Sequence, residues 1–588
     1  MKLFYKISYY TTAILILVSC AHPINPGGGP KDKKAPVLLT SVPENGSPNF
    51  INDRFTLEFD EFVELKDAQN QIMISPPLKK HPEYKTKGKS IQILFKEDLK
   101  ENTTYSVYFG DAIVDITEGN PLSNFTYIFS TGAYVDSLSL QGTVFNAFDL
   151  QGVENCFVML YKDDNDTITL DSMPYLVRPY YLSKTDDKGR FRFNGLGNYD
   201  YLMFAINDMN ASLTYDQPSE QIAFIDSLVK PEYIPKPLAD TTLSDSIPPS
   251  VPDSLVEVID TADIRKAKFF DDGIRKYKMF LFAEKDKTLK LLSSKIIRDN
   301  TLRFVFNLPA DKLSISPLNI PDRDIWYHSV HSPGFDTITW YYKTPDFDTL
   351  NVLIKQGADT LEYLNIRLRK QFGRARKNKN EKAKKIAYDK IPAAKALLPG
   401  QMPQIEFHQP IEGIDLDSAV LISGEDTIIS PEYRFMDSLR MLLEFKIDNT
   451  EDNRYTFLIP DSLIYDWNAL TNDEIIINYS TKNLSDYGQV SLKINNPDKQ
   501  DIIIQLLDKN SDVIDSDVVM GDTTLVYKYL DAEKFRFKAI FDLNGNGKWD
   551  VGDYATKTQA EKVSYFEKEI EVRANWEIEE EWELTPPE

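Results

Sequence analysis

Apolar and polar side chains alternate in short runs along most of this chain. Phe55-Thr56-Leu57-Glu58-Phe59, Tyr127-Ile128-Phe129 and Leu302-Arg303-Phe304-Val305-Phe306 are typical. A repeat of two places alternate side chains on one face, so each run predicts a half-buried strand rather than a helix. The runs are rich in Val, Ile, Thr and aromatics and end in Asn, Asp, Gly or Pro, which punctuate β structure. Further strands are predicted at Lys278-Met279-Phe280-Leu281-Phe282, Thr337-Ile338-Thr339-Trp340-Tyr341 and Leu350-Asn351-Val352-Leu353-Ile354. At the C-terminus Trp576, Ile578, Trp582 and Leu584 alternate with glutamates, predicting a terminal strand with its aromatics packed and its acids outward.

The pattern repeats at long range. Residues 196–216 (LGNYDYLMFAINDMNASLTYD) align without a gap on 530–550 (LDAEKFRFKAIFDLNGNGKWD). Tyr201 faces Phe535, Ala205-Ile206 faces Ala539-Ile540, Asp208 faces Asp542, Asn210 faces Asn544 and Asp216 faces Asp550. A little further on, Glu220-Gln221-Ile222 corresponds to Glu561-Lys562-Val563. The preceding segments correspond too. Asn102-Thr103-Thr104-Tyr105 matches Asn453-Arg454-Tyr455, and both copies continue to a strand ending in Ser-Thr, at Ser130-Thr131 and Ser480-Thr481. Phe55-Thr56-Leu57-Glu58-Phe59 is paired with Leu442-Leu443-Glu444-Phe445. A pair of small β domains is therefore written twice.

Pro36-Val37, Ser41-Val42-Pro43-Glu44-Asn45, Phe59-Asp60-Glu61 and the closing Phe129-Ser130-Thr131-Gly132 make residues 36–133 resemble the bacterial Ig-like domain of S-layer-type proteins and Bacteroidetes lipoproteins. Leu140-Gln141-Gly142-Thr143-Val144 and Thr185-Asp186-Asp187-Lys188-Gly189-Arg190-Phe191 make 138–228 resemble the prealbumin-like, or carboxypeptidase regulatory-like, domain. The resemblance implies tandem Ig-like and prealbumin-like β-sandwiches; with the alternating pattern and the composition between them, the expectation is an all-β chain with a disordered Pro-rich linker and a basic linker. Neither family is catalytic. The expected layout is a signal peptide at 1–19 and a flexible tether at 20–35, then the two domains above. A disordered linker at 229–265 follows, because six of residues 230–254 are proline. After it come a middle β domain at 266–366, a basic linker at 367–400, a second Ig-like domain at 401–483 and a second prealbumin-like domain at 488–588.

The N-terminus changes where this chain is expected to work. Lys2 and Lys6 precede a short apolar core at 11–18 (TTAILILV), and Leu17-Val18-Ser19-Cys20 resembles a bacterial lipobox. A membrane-spanning helix needs about 20 apolar residues, twice this run. The expectation is export, cleavage before Cys20 and lipidation of that cysteine, which anchors the chain in the outer membrane. Which face it occupies is left open by the sequence. The following AHPINPGGGPKDKKA is a spacer without a core. Cys156 then has no disulfide partner, and its apolar surroundings predict an inert core thiol.

A formal charge of −23 over 588 residues argues against a nucleic-acid partner, whose phosphates need a positive footprint. Within this acidic chain, residues 367–395 hold twelve Lys or Arg against two acids. Arg374, Arg376, Lys377, Lys379, Lys382, Lys384 and Lys385 are the candidate contact for an acidic partner or for lipid phosphates; the alternative is a solvated linker.

One loop carries metal-like chemistry. In residues 542–553 (DLNGNGKWDVGD), Asp542, Asn544, Asn546, Asp550 and Asp553 fall at positions 1, 3, 5, 9 and 12 of an EF-hand-like pattern, with glycine at position 6. Position 12 is Asp rather than Glu, and a strand rather than a helix precedes the loop. It resembles a structural Ca²⁺ loop on a β domain; the alternative is an Asx-rich turn. The earlier copy keeps Asp208, Asn210, Ser212 and Asp216 without a glycine. No other cofactor is required. His328 and His331 have the wrong spacing for a helical zinc pair, and no HExxH, GxSxG or P-loop motif is present. No catalytic residue is assigned and no small-molecule substrate is expected. The sequence reads as a non-enzymatic, lipid-anchored interaction subunit of an outer-membrane assembly with a protein partner there. The alternative is a free-standing structural or adhesive surface protein that binds glycans or other cells.

Overall fold

The computed structural model describes residues 33–162, 168–210, 212–217, 219–233, 276–320, 326–343, 347–368, 384–394 and 396–586. Among these the chain is all-β, with α-helix confined to two single turns, Ala68–Gln71 and Met173–Leu176. Many small antiparallel sheets pair into sandwiches, as alternating runs with one apolar face require. The chain divides into two compact units, Met1–Ala283 and Glu284–Glu588.

The first unit opens with an Ig-like sandwich. One sheet runs, in spatial order, through Leu38–Val42, Arg54–Phe59, Ser90–Leu94 and Glu83–Lys87. The facing sheet is Met73–Ser75, Thr104–Tyr108 and Thr126–Ser130. The inward residues Phe55, Leu57, Phe59, Ile91, Ile93, Val107, Tyr127 and Phe129 are fully buried. Phe55 stacks on Tyr127 at 4.0 Å between ring centres. Each such side chain contributes on the order of 1.5–3 kcal/mol by leaving water.

A second sandwich follows. Tyr181–Lys184, Phe157–Lys162, Tyr201–Asn207 and Gln221–Phe224 form one layer. Arg190–Leu196, Leu138–Asn146 and Lys276–Ala283 form the other, and Lys276–Ala283 joins the two into one continuous eight-stranded sheet. Lys276–Ala283 runs parallel to Leu138–Asn146 and also pairs with Gln221–Phe224. This corrects the expected layout. Lys278–Phe282 does not open the middle domain; it is the last strand of the second one, and Met279 and Leu281 lie in that core. Gly142 permits this pairing, because a Cβ there would lie 2.2 Å from the Tyr277 carbonyl oxygen. The expected linker also begins later than 229. Val229 exchanges two backbone hydrogen bonds with Tyr201, and Glu232–Tyr233 pairs with Leu138 and Ser139.

In the second unit the middle domain is a sandwich of two sheets, Leu291–Arg298, Thr301–Phe306, Thr337–Tyr342 and Tyr327–His331 against Leu313–Pro317, Thr349–Gln356 and Asp359–Arg367. Trp340, Phe304, Leu350 and Val352 form its centre.

The next sandwich repeats the Ig-like topology strand for strand. Tyr388–Ile391, Gln404–Phe407, Leu442–Phe445 and Tyr433–Phe435 stand in the order of the first copy. Val420–Ser423, Arg454–Ile459 and Ile475–Thr481 form the facing sheet, extended by Asp426–Ile429 and Ala396–Leu397. Two corrections follow. The counterpart of Arg54–Phe59 is Gln404–Phe407, whereas Leu442–Phe445 takes the place of Ser90–Leu94; a short apolar run matches any strand of the same parity. The domain also starts at Tyr388–Ile391, inside the span expected to be a basic linker.

The last sandwich has Val513–Met520, Asp501–Leu507, Lys534–Phe541 and Val563–Tyr565 in one layer and Thr523–Leu530, Gly488–Asn495 and Glu577–Glu583 in the other. Glu577–Glu583 lies parallel to Gly488–Asn495, as Lys276–Ala283 lies parallel to Leu138–Asn146.

Candidate functional site

The Asp/Asn loop starts where the Lys534–Phe541 strand ends. Asp542 is 3 % exposed, and its carboxylate gathers the backbone instead of solvent. Oδ1 accepts from Gly545 N at 2.8 Å and Asn546 N at 3.2 Å, and Oδ2 accepts from Gly547 N at 2.7 Å. An Asx side chain that caps successive N–H groups in this way winds the chain into a tight turn. Gly547 sits at φ +72, in the left-handed region where a Cβ is strained.

Beyond the turn the side chains converge on Asp550. Its Oδ2 accepts from Asn544 Nδ2 at 2.7 Å and Asn546 Nδ2 at 2.5 Å. Its Oδ1 pairs with Lys285 Nζ at 2.5 Å. Lys285, with help from the two asparagines, holds the Asp550 carboxyl below the usual aspartate range. Asp553 points elsewhere. It pairs with Lys287, which holds its carboxyl low, and accepts from Thr556 N at 3.2 Å. The side chains of Asn544, Asn546 and Asp550 are therefore brought together, while Asp542 turns to the backbone of the turn and Asp553 to Lys287.

Glu561, outside the predicted set, lies beneath the loop. It is 4 % exposed, and its two oxygens accept from Leu543 N at 2.8 Å and Asp550 N at 2.9 Å. Burial, reinforced by Asp542 and Asp550, pushes its carboxyl above the usual range. The signal for it was already in the sequence, because Glu561 aligns with Glu220. In the first copy Glu220 is fully buried and accepts from Met209 N at 3.3 Å and Asp216 N at 3.1 Å. Asp208 accepts there from Asn210, Ser212 and Leu213 N–H, and Asn210 Nδ2 donates to Asp216. Leu213 adopts φ +60 at the position held by Gly547 in the second copy. The two loops share one hydrogen-bond plan: an Asp that winds the turn, an Asn that ties it to a second Asp, and a buried Glu that clasps both ends.

The loop is closed by its own hydrogen bonds: the Asp542 oxygens accept backbone N–H groups, and the Asn544 and Asn546 amides donate to Asp550. Among the described residues no group of three or more His, Cys, Asp or Glu side chains is set to hold a metal ion.

The two Ig-like sandwiches share a second hydrogen-bond plan. Tyr105 Oη accepts from Lys100 N at 2.9 Å, and Tyr455 Oη accepts from Thr450 N at 2.9 Å. Thr131 Oγ1 accepts from Thr103 N at 3.0 Å, and Thr481 Oγ1 accepts from Asn453 N at 3.0 Å. Residues 32–131 match the family model of the bacterial Ig-like domain. The bacterial Ig-like match covers 100 of the 588 residues, and the structure extends the same topology to the sandwich that starts at Tyr388. A search of curated protein sequences finds no match. Among solved structures, an S-layer protein (rSbsC) aligns at 12 % identity over 91 % of this chain and 67 % of its own, with a TM-score of 0.13. The Bacillus anthracis TIE protein aligns at 9 % identity over 95 % and 76 %, also with a TM-score of 0.13. BcpA, the major pilin subunit of Bacillus cereus, aligns at 7 % over 76 % and 99 %, with a TM-score of 0.14. Superpositions this loose carry no argument about role.

The other predicted residues fall as follows. Cys20, Arg374, Arg376, Lys377, Lys379 and Lys382 lie outside the described residues. Lys384 pairs with Asp299 at 3.0 Å; Lys385 donates to Thr471 Oγ1 and Asn472 O, both at 3.2 Å. Both lysines thus bind their own unit at the start of the second Ig-like sandwich. Cys156 is fully buried, and burial pushes its thiol up to about 12, which makes it inert. His328 packs on Trp467 at 4.6 Å between rings, and His331 on Phe335. At the C-terminus Trp582 is buried as expected, but Trp576 is 53 % exposed under the Arg573 guanidinium.

Proposed function

We propose that this chain is a non-enzymatic lipoprotein, held by Cys20 in the outer membrane, that serves as an interaction subunit of an assembly there. The observation that carries the reading is the duplicated pair of β-sandwiches. Its polar side chains are spent on winding and clasping loops, as Asp542, Glu561, Tyr455 and Thr481 are, rather than on presenting a reactive group. The bacterial Ig-like match and the lipobox-like Leu17-Val18-Ser19-Cys20 support the same reading. The test is crosslinking in cells, gentle solubilisation of outer membranes and mass spectrometry of what copurifies. A membrane barrel recovered in fixed stoichiometry is expected. Recovery of the chain alone, with retention on glycans or on other cells, would favour the adhesive alternative.

A structural Ca²⁺ in the 542–553 loop belongs to the same proposal. Asp542, Asn544, Asn546 and Asp550 would hold it, and buried Glu561 adds negative charge beneath it. A ligand at about a hundred times its Kd adds about 2.7 kcal/mol to folding. Calcium is therefore expected to raise the melting temperature of the wild type by several degrees and to leave Asp550→Asn unchanged. Equal melting curves in calcium and chelator would remove the metal from the proposal.

A further inference from the structure

The two Ig-like sandwiches differ in what surrounds the end where the chain enters them. The same backbone hydrogen bonds build that end in both. In the first, Asp60 N donates to Val37 O and Ile116 N to Phe62 O; in the second, His408 N donates to Ala387 O and Trp467 N to Pro410 O. The strand pairs that follow, Val63 with Asp115 and Ile411 with Asp466, keep the register. Phe62 and Ile116 therefore correspond to Pro410 and Trp467, and Glu61 corresponds to Gln409.

In the second copy the middle sandwich covers this end. Gln409 Nε2 donates to Asp299 O at 3.1 Å, Asn300 O at 3.2 Å and Thr301 Oγ1 at 2.9 Å, at the turn between Leu291–Arg298 and Thr301–Phe306. Gln409 Oε1 accepts from Trp467 Nε1 at 3.2 Å, and the Trp467 ring packs on His328. Gln409 and Pro410 are buried in this joint. A polar side chain thus secures one protein domain to another.

In the first copy the same end is bare and apolar. Phe62 is 59 % exposed and Ile116 54 %; Val37, at 51 %, exchanges hydrogen bonds with Asp60 beside them. Charge around this tip is locally balanced, with Lys66 3.8 Å from Glu64 and Lys89 donating to the Asp60 carbonyl. The tip therefore offers apolar contact, not an electrostatic footprint. It is also the end to which the lipid leads. Asn120 Nδ2 donates to Lys34 O at 3.2 Å, which fixes the incoming chain there. Lys33 follows Cys20 by thirteen residues, a reach of at most about 45 Å.

We infer that the occupant of this end is the bilayer itself: Phe62 and Ile116 seat at the boundary of headgroups and acyl chains and stand the first sandwich on the membrane in one orientation. The inference rests on the lipid-anchor reading of Cys20. Two apolar side chains are too few to bring a free domain to a membrane. A lipid within so short a reach raises the effective concentration of the surface, which makes a weak contact sufficient.

The test uses the acylated full-length chain in vesicles of phosphatidylethanolamine and phosphatidylglycerol. With lipid on the Cys20 sulfur and Cys156 fully buried, a nitroxide attaches only at an introduced cysteine: Phe62→Cys, Ile116→Cys or Ile51→Cys. Ile51 is 93 % exposed and precedes the strand Arg54–Phe59, at the opposite end from Phe62, so it serves as the control. All three sites are exposed, and thermal melts check that each variant folds. The labels at Phe62→Cys and Ile116→Cys are expected to be more accessible to oxygen than to a water-soluble nickel complex, and the label at Ile51→Cys the reverse. Mass spectrometry of the N-terminal peptide checks the lipid separately. An acylated Cys20 with both tip labels as open to nickel as the control would overturn the inference and leave the anchor standing. A Cys20 without lipid would remove both. Tip labels shielded from both reagents in the lipid-free Cys20→Ser chain would mean that protein covers this end, and would overturn the inference as well.

Discussion

At the scale of single residues, backbone geometry decides the Asp/Asn loops. Gly547 has open space around its missing Cβ, so its only demand is the left-handed φ of +72. Gly547→Ala is expected to destabilise the last sandwich by about 1–2 kcal/mol, read from its melting temperature. Leu213 already bears that strain in the first loop. The Asp550–Lys285 pair supplies a pH dependence. Because the folded carboxyl is held below its unfolded value, its contribution is present at neutral pH and is lost as pH falls through the lowered folded value. Lys285 is 60 % exposed, so screening keeps the contribution at about 0.2–1 kcal/mol. Lys285→Ala should reduce stability by that amount at pH 7 and by progressively less as pH falls through the lowered carboxyl range, measured by denaturant titration across that range. Glu561 works in the opposite sense: its raised carboxyl destabilises the fold as pH rises through its folded value. The five-oxygen pattern was legible in the sequence. That Asp553 turns to Lys287 was not, because it depends on chain far away in sequence, whereas Glu561 was marked by its alignment with Glu220.

At the scale of elements, the alternating runs named nearly every strand but not its neighbours. Leu442–Phe445 and Arg54–Phe59 both alternate, and only pairing distinguishes the second position in a sheet from the third. Lys276–Ala283 is the clearest case. Its pattern is that of any half-buried strand, and the Pro-rich stretch before it suggested a new domain. It instead crosses back to pair with Leu138–Asn146. Gly142 is the local mark of that pairing, since its position leaves no room for a side chain between Tyr277 O and Phe191. Gly142→Ala should therefore destabilise the second sandwich by about 1–3 kcal/mol through overpacking, visible as a lowered melting temperature of a 33–283 fragment.

At the scale of the whole molecule, each unit has its own cores, which predicts independent folding. Residues 33–283 expressed alone should unfold in one or two cooperative transitions with native sheet content by circular dichroism; a fragment ending at residue 265 should not, because it lacks the strand that carries Met279 and Leu281. The duplication places the same two sandwiches in different surroundings. The end around Gln409 and Pro410 is covered, and its counterpart around Phe62 and Ile116 is not.

The sequence by itself determined the all-β class, the internal duplication and the Asp/Asn loops. Alternation, turn residues and spacing are local, and they record which side chains face inward. Tertiary structure alone decided which strand completes which sheet, which lysine Asp553 turns to and which apolar face stays bare. Those outcomes depend on pairing between segments up to hundreds of residues apart, and a strand's own pattern is compatible with many partners.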